Sequence, residues 1–489
     1  MNFKKFLLPA LSFTLLLAAC KEEEEVKPAN TLTARAGADQ KVEVGEVVVL
    51  DGTASEDSEN EPFDYRWSFS KKPSGSTASI SKPTTEKPTF VPDVAGDYEL
   101  ELTISNANGE SSDRVLVTAA VTAPMVLATN ITSKMVLEDR ISNPDFPDYV
   151  VNQNVTVQAE LTIKPGVVIG FARDTRLEVN DNGGVLIAKG EASKAIRLIG
   201  QEKTRGFWAG IIMRSGSSGN ELEYVEVLHT GSKVLFSGIK AGIALTGSSD
   251  AQISVKNSLF ENNAGYGLYL QEDAILKTFT SNTFRDNIES GISVAPDHVK
   301  SLDENSVFSG NNGRNVVEIS GGTLTGSSSS EAQWSGFKDK TPYYLTNSLT
   351  LDAGLKLMPG VTLELARDKQ ITVNKGYLSA IGTKESKITI KGREGNQAVW
   401  KGMICYSVSA LNVLEHTVVS GGGSIPLVSG KKANIAVYGS QARMTIKNTQ
   451  ISNSGGYGVY VNYQASINTD AATVNTFEGN ADQPILQEK

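Results

Sequence analysis

Two lengths recur in this chain, and together they leave few folds open. Phe260, Phe284 and Phe308 stand 24 residues apart, each behind an Asn and a small polar residue, in NSLF, NTF and NSVF. The segments GIAL from Gly242, GLYL from Gly267 and GISV from Gly291 follow one another at 25 and 24 residues. A longer repeat overlies the short one. LTIKPGVVIGFARDTRLEVN from Leu161 matches LKLMPGVTLELARDKQITVN from Leu355 at an offset of 194, Trp208 matches Trp400 at 192, and Asn282 matches Asn475 at 193. A fixed period of this size is the mark of a stack of units that cannot bury their apolar faces alone. Short apolar strands, several per period, make each unit one coil of parallel strands. Eight coils of 24 make 192, so the long repeat is expected to be a whole number of coils. From about residue 145 onward there is chain for roughly fourteen coils, a stack on the order of 70 Å at the spacing of neighbouring strands.

Alternation within strands says which side chains face inward. In NAGYGLYL, Leu268 and Leu270 point in and Tyr269 out; in SGGYGVYV, 191 residues later, Tyr460 points out between Val459 and Val461. These outward tyrosines are a candidate ligand-stacking surface, or simply good strand formers. Asn257, Asn282, Asn448 and Asn475 fall near coil corners, where Asn can hydrogen-bond turn backbone and stack in ladders. With 45 Gly, 7% aromatics and abundant Val, Ile, Thr and Ser, the chain is built for strands and turns. The region resembles the right-handed parallel β-helix proteins of the pectin-lyase-like superfamily over essentially its whole length. That resemblance implies the architecture and leaves the function open.

Ahead of the repeat, from about Thr33 to Val121, short strands alternate with turns. Tyr98, Leu100, Leu102 and Ile104 line one side of a strand and Glu99, Glu101 and Thr103 the other, as in a β-sandwich. AGADQKVEVGEVVVLDGTASED, YRWSF and FVPDVAGDYELELTISNANG resemble the polycystic-kidney-disease (PKD) family of immunoglobulin-like domains, with Trp67 as the inter-sheet core residue. The family's common WDFGDG is replaced by WSFSKKPSGS. Some relatives bind calcium through acids in the loop after the second strand. The resemblance makes Asp51, Glu56 and Asp57 candidate calcium ligands; the alternative is a hydrated acidic loop.

At the N-terminus, Lys4 and Lys5 precede an apolar run from Phe6 to Ala19 that is too short to span a bilayer comfortably. LAAC, ending at Cys20, resembles the lipobox of bacterial lipoproteins, which implies that Cys20 is acylated and that the chain is anchored to a membrane by lipid. An ordinary secretory signal with a chance cysteine is the competing reading. KEEEEV, Lys21 to Val26, is similar to the signal with which Bacteroidetes-type bacteria export lipoproteins to the outer face of the outer membrane. It also serves as a solvated spacer. With Cys20 used, only Cys405 remains, so no internal disulfide forms; its apolar neighbours make it a core residue. A net charge of −9 argues against nucleic acid as a partner.

Chemistry has to be sought residue by residue. Polygalacturonase-like hydrolysis would need an aspartate triplet, a Gly-His-Gly and a basic triplet; NTD at Asn468 to Asp470 stands without the others. Glu221 and Glu223 are the best catalytic candidates, because side chains at i and i+2 of a strand lie about 7 Å apart, within range of a two-carboxylate glycosidase. An outward pair on a strand is equally a solvated charge. His229, His298 and His416 form no recognisable constellation. Trp208 and Trp400 are candidates for stacking on a sugar ring, or for packing at a coil corner.

The sequence therefore reads as all-β: an N-terminal PKD/Ig-like β-sandwich followed by a long right-handed parallel β-helix with an internal duplication of about 192 residues. Its expected partition is a signal peptide (1–19), an acidic tether (20–31), the sandwich (32–122), a linker and cap (123–145) and two β-helix blocks (146–338 and 339–489). The expected function is non-enzymatic binding or adhesion at the cell surface, to glycans or cell-surface polymers. A polysaccharide lyase or hydrolase and a structural spacer are the alternatives. No cofactor is expected beyond the calcium candidates.

Overall fold

In the computed structural model the described residues are 30–141, 143–246, 250–327, 329–395 and 397–489. The expected signal peptide, Cys20 and nearly all of the acidic tether lie outside them. The chain divides into two compact units between Val121 and Thr122.

The first unit is a sandwich. Its main sheet runs, in spatial order, Gln40–Glu43, Gly109–Ala120, Gly96–Asn106 and Asp64–Lys71. Leu32–Thr33 pairs with Glu56–Asp57, and Val48–Val49 with Thr89–Phe90. Tyr98, Leu100, Leu102 and Ile104 are fully buried and face Trp67, which is also in the core. The Tyr98 hydroxyl accepts from Val94 N at 3.0 Å and donates to Val94 O at 2.8 Å. This closes the corner ahead of its strand, as the tyrosine corner of Ig-like sandwiches does.

The second unit is a three-faced coil of parallel strands. One coil of the first block, Val168–Phe171, Arg176–Val179 and Val185–Lys189, sends a strand to each of three sheets, of eight, fourteen and six strands in that order. The first rung starts before residue 146, since Met125–Val126, Asn130–Ile131 and Met135–Leu137 already open the three sheets. Inside, Phe260, Phe284 and Phe308 stack with centroids 4.8 and 5.2 Å apart and planes within 10° of parallel. The glycines beside them make room: a Cβ on Gly267 would stand 2.6 Å from the Phe284 ring and 2.7 Å from Gly291 O.

The four corner asparagines separate into two kinds. Asn257 and Asn448 hold the left-handed backbone of turns, at φ 50° and 48°. Asn282 and Asn475 are buried and bond the neighbouring coil, accepting from Ser258 N and Thr449 N. A continuous ladder runs one position further on. Asn263 donates to Asn287 Oδ1 at 2.8 Å, Asn287 donates to Asn312 Oδ1 at 2.8 Å, and Thr230 caps the column on Asn263.

The duplication is not a whole number of coils. In the second block the trio matching the coil above, Thr362–Leu365, Gln370–Val373 and Tyr377–Ile381, lies in the fourteen-stranded sheet, a seven-stranded sheet and another six-stranded sheet. Tyr149–Val151 belongs to the eight-stranded sheet, whereas its counterpart Tyr343–Leu345 joins the fourteen-stranded one by pairing with Arg314–Ile319. The second block is thus set round by one face relative to the first. Each face presents the same apolar inward pattern, so a block can be joined at a third of a turn and still continue the core. Coil length varies too, and the starts of Gly210–Met213 and Ala241–Leu245 are 31 residues apart. The extra chain there forms a loop outside the coil.

Candidate functional site

That loop decides what the repeated tyrosines do. Residues 231–240 turn back on themselves through a Phe236–Ile239 bridge and lay Leu235, Phe236 and Ile239 over the outer side of Ile212, Ala244 and Tyr269. Phe236 meets Tyr269 edge-on at 5.7 Å. In the second block a Val428–Lys431 bridge closes the equivalent loop, which covers Ile404, Ala436 and Tyr460. Tyr460 does point outward, yet it is fully buried, and its hydroxyl donates to Glu488 Oε1 at 2.7 Å. Burial first, then Glu488, push its pKa up to about 12. Tyr269 is half-buried, and its neighbour Tyr266 donates to Glu318 Oε1 at 2.7 Å. Tyr460 offers no open ring face and Tyr269 only a partly covered one, because each belongs to a small second core outside the coil.

The tryptophans are packing residues. Trp208 lies flat on Phe171 at 3.9 Å and donates Nε1 to Leu228 O at 2.7 Å; Trp400 donates to Ser420 O at 2.8 Å. Both are fully buried, so sugar stacking on either is excluded.

Glu221 and Glu223 are side by side on the outer face, and lysines occupy them. Lys256 reaches Glu221 at 2.7 Å and Glu223 at 3.1 Å, and Lys189 reaches Glu221 at 2.6 Å. These lysines outweigh desolvation and hold the Glu221 carboxyl below its ordinary range. A glycosidase acid needs the opposite shift.

Sequence reasoning passed over a different group of aromatics. Tyr406, 40% exposed, and Tyr463, 62% exposed, lie on either side of Tyr438 along the second block. Each follows the end of a strand of the seven-stranded sheet, Gly402–Cys405, Ala433–Val437 or Tyr457–Val461. Tyr406 and Tyr438 pack edge to face at 6.1 Å, with Val408 and Leu411 exposed in the loop beyond. In the first block the matching residues are Arg214 and Thr246. Comparing the blocks at an offset of 192 would have found this difference, since a tyrosine there serves no inward packing. The three histidines scatter: His298 Nε2 faces Gln271 O at 3.3 Å in a short 3-10 turn, His229 occupies the place of Gly421, and His416 that of Tyr224. Cys405 lies inside the coil, as expected, and burial raises its thiol to about 11.

Residues 36–119 match a family model of the PKD domain, and residues 151–337 match the family described as periplasmic copper-binding protein (NosD). The chain carries a PKD domain followed by a NosD-like β-helix. No curated protein matches it. Among solved structures, it is similar to a nucleoside hydrolase-related hypothetical protein from Saccharophagus degradans at 23% identity (19% of this chain, 25% of that one, TM-score 0.16). It is also similar to the PKD domain of the KIAA 1837 protein at 24% identity (19% and 89%, TM-score 0.17) and to that of human KIAA0319 at 17% (22% and 95%, TM-score 0.18).

In the PKD domain the calcium candidates are already engaged. Asp51 accepts from Thr53 N and Oγ1 and pairs with Lys87 at 3.1 Å; the Thr53 bonds, then Lys87, bring its pKa down to about 2. Glu56 pairs with Arg35 at 3.1 Å. Asp57 is buried and accepts from Glu59 N, Glu61 N and Asn106 Nδ2. The three carboxylates are each taken up by different partners, and among the described residues no three acids converge as a calcium site would require. Among the described residues of the β-helix, the copper in the description of the NosD family meets no cluster of His, Cys or acidic ligands either. Copper takes Cys, Met and His ligands. Among the described residues no three of His, Cys, Asp or Glu come together, and Cys405 faces only the Ser407 and Arg443 carbonyls.

Proposed function

We propose that this is a surface or periplasmic binding protein, tethered through acylated Cys20 to the outer membrane and exposed to the exterior, whose β-helix binds glycans or cell-surface polymers. The observation that carries the reading is the tyrosine group of exposed Tyr406 and Tyr463 with half-buried Tyr438 between them, present in one block and absent from its duplicate. Tyr438 packs on the outer core under the covering loop while Tyr406 and Tyr463 stay exposed, and aromatic faces backed by a rigid sheet are good platforms for the apolar face of a sugar. The PKD domain and the NosD-like β-helix support a binding role. Among the described residues no helix is long and apolar enough to cross a membrane, and anchoring by lipid needs none. The lysine clamp on Glu221 and Glu223 weighs against the lyase or hydrolase alternative.

The test is a glycan array with the soluble chain beginning after Cys20. Binding to particular glycans that drops about tenfold or more in the Tyr406→Ala/Tyr438→Ala/Tyr463→Ala variant supports the reading, since an aromatic anchor is worth on the order of 1–2 kcal/mol. No glycan binding at all favours the structural alternative, and release of reducing ends from a polysaccharide overturns the non-enzymatic reading. For the anchor, Cys20→Ser should move the protein from the membrane to the soluble fraction.

A further inference from the structure

The first block holds a second constellation that its duplicate lacks. His229 ends the rung beneath Trp208, and its carbonyl accepts from Phe207 N at 2.8 Å and Trp208 N at 3.3 Å. That double acceptance goes with a left-handed backbone, φ 67°. In the second block Gly421 does the same, at φ 75°, for Val399 N and Trp400 N. The scaffold therefore asks only for a residue that tolerates a positive φ, which glycine does without steric cost. Histidine carries that strain, and its Nδ1 is buried with no hydrogen-bond partner, a second unfavourable term.

What the histidine gains is a place in a cleft of about 280 Å³ lined by Arg205, Leu228, His229, Glu261, Asn262 and Asp286. The duplicate puts Gln397, Ser420, Gly421, Ser452, Asn453 and Gly479 at these positions. Only the asparagine repeats, and it does so for its backbone: Asn262 and Asn453 sit at φ 56° and 57°. The strand and tryptophan framework around the cleft is kept in both blocks, while every charged side chain in it is confined to one.

The polar groups are pre-positioned. Arg205 is fixed through Nε to Asn262 Oδ1 at 2.9 Å, which directs its terminal nitrogens. Glu261 has one oxygen on Arg285 at 2.9 Å, and Asp286 has one on Asn311 Nδ2 at 2.8 Å. His229 is only 7% exposed, and burial lowers its pKa against the opposing pull of Glu261, which favours the neutral imidazole with one donor and one acceptor nitrogen. Leu228 supplies an apolar wall. With Arg285 paired to Glu261, two cations and two carboxylates balance around the cleft, which disfavours an ion. Alternating donors and acceptors suit a chain of hydroxyls, and the volume, at the low end for ligand clefts, suits one ring.

We propose that this cleft binds a single neutral sugar residue, held by hydroxyl contacts to Arg205, Glu261 and Asp286 and seated on His229 and Leu228. The proposal rests on the reading of the β-helix as a glycan binder but places a site in the other block. The test uses the soluble chain labelled on its histidines and titrated with neutral methyl hexosides. His229→Gly and Glu261→Ser each install the residue of the duplicate and so keep the backbone the scaffold needs. One imidazole resonance, absent from the His229→Gly spectrum, should shift saturably with sugar, and the double variant should lose affinity about tenfold or more for the removed hydrogen bonds, with an unchanged circular dichroism spectrum. Sugar binding that leaves that resonance still and is indifferent to the double variant overturns the cleft while sparing the binding reading. A response to uronates alone overturns the neutral ligand, and no response to any sugar overturns the proposal.

Discussion

The asparagine ladder inside the first block gives the sharpest measurable consequence of the fold. Asn287 makes four side-chain bonds: Oδ1 accepts from Asn263 N at 3.3 Å and Asn263 Nδ2 at 2.8 Å, and Nδ2 donates to Phe260 O at 3.0 Å and Asn312 Oδ1 at 2.8 Å. In Asn287→Ala, Asn263 N and Phe260 O lose these partners inside a buried column, at about 1–3 kcal/mol for each orphaned group, so about 2–6 kcal/mol in all. The duplicate supplies an internal control. Asn480 makes the matching bond to Ile451 O at 3.0 Å, but it is only half-buried near the end of the stack, where water can replace what is lost. Asn480→Ala should therefore cost about 0.5–1.5 kcal/mol. Because a stack of repeats opens locally, the assay is amide hydrogen exchange over residues 258–313 and 448–480, each read against the wild type. A protection loss for Asn287→Ala below about 0.5 kcal/mol, or one no greater than that for Asn480→Ala, would refute the argument that buried ladder bonds hold these coils together.

Gly267→Ala should destabilise the same coils by about 1–3 kcal/mol, seen as a lower thermal midpoint, because its Cβ would stand 2.6 Å from the Phe284 ring in a stack with no slack. In the PKD domain, the bonds from Thr53 and Lys87 to Asp51, and those from Ser76 and Thr77 to Asp93, hold both carboxyls below the ordinary value. Depressed folded values mean that the stabilisation is present above about pH 4 and is lost as pH falls toward about 2; Asp51→Asn should flatten that acid limb in denaturation curves. Cys405, buried with its thiol raised to about 11, should resist alkylation in the folded Cys20→Ser chain and react once urea unfolds it.

Much of the architecture can be read from the chain because a strand has a period of two and a coil a period near 24. Those two numbers place Leu268 and Leu270 inside and Tyr269 outside, and they stack Phe260, Phe284 and Phe308, as the fold has them. What escapes is set by contacts distant in sequence. Outward does not mean exposed when a loop such as 231–240 folds back over the sheet, and the covering of Tyr269 and Tyr460 depends on that return. Trp208 is a packing residue and not an exposed aromatic because Phe171 stacks on it and Leu228 O takes its N–H, contacts that the sequence does not show. The third-of-a-turn offset between blocks leaves no mark on either block's own sequence, because inward Val, Ile and Leu suit all three faces alike. The cleft at His229 is hidden for a related reason: Arg205, His229, Glu261 and Asp286 come from four successive coils, and only the fold brings them together.

That offset also governs how a partner can meet the molecule. The covering loop of the first block rides on the fourteen-stranded sheet and that of the second on the seven-stranded one, so the two copies look out in different directions. A straight polymer lying along one side meets one copy and passes the other by, and gains none of the avidity that two aligned sites would give. Duplication here has widened the compass of the surface rather than lengthened a track. A partner that curls around the stack, or two partners arriving from separate quarters, can engage both blocks at once.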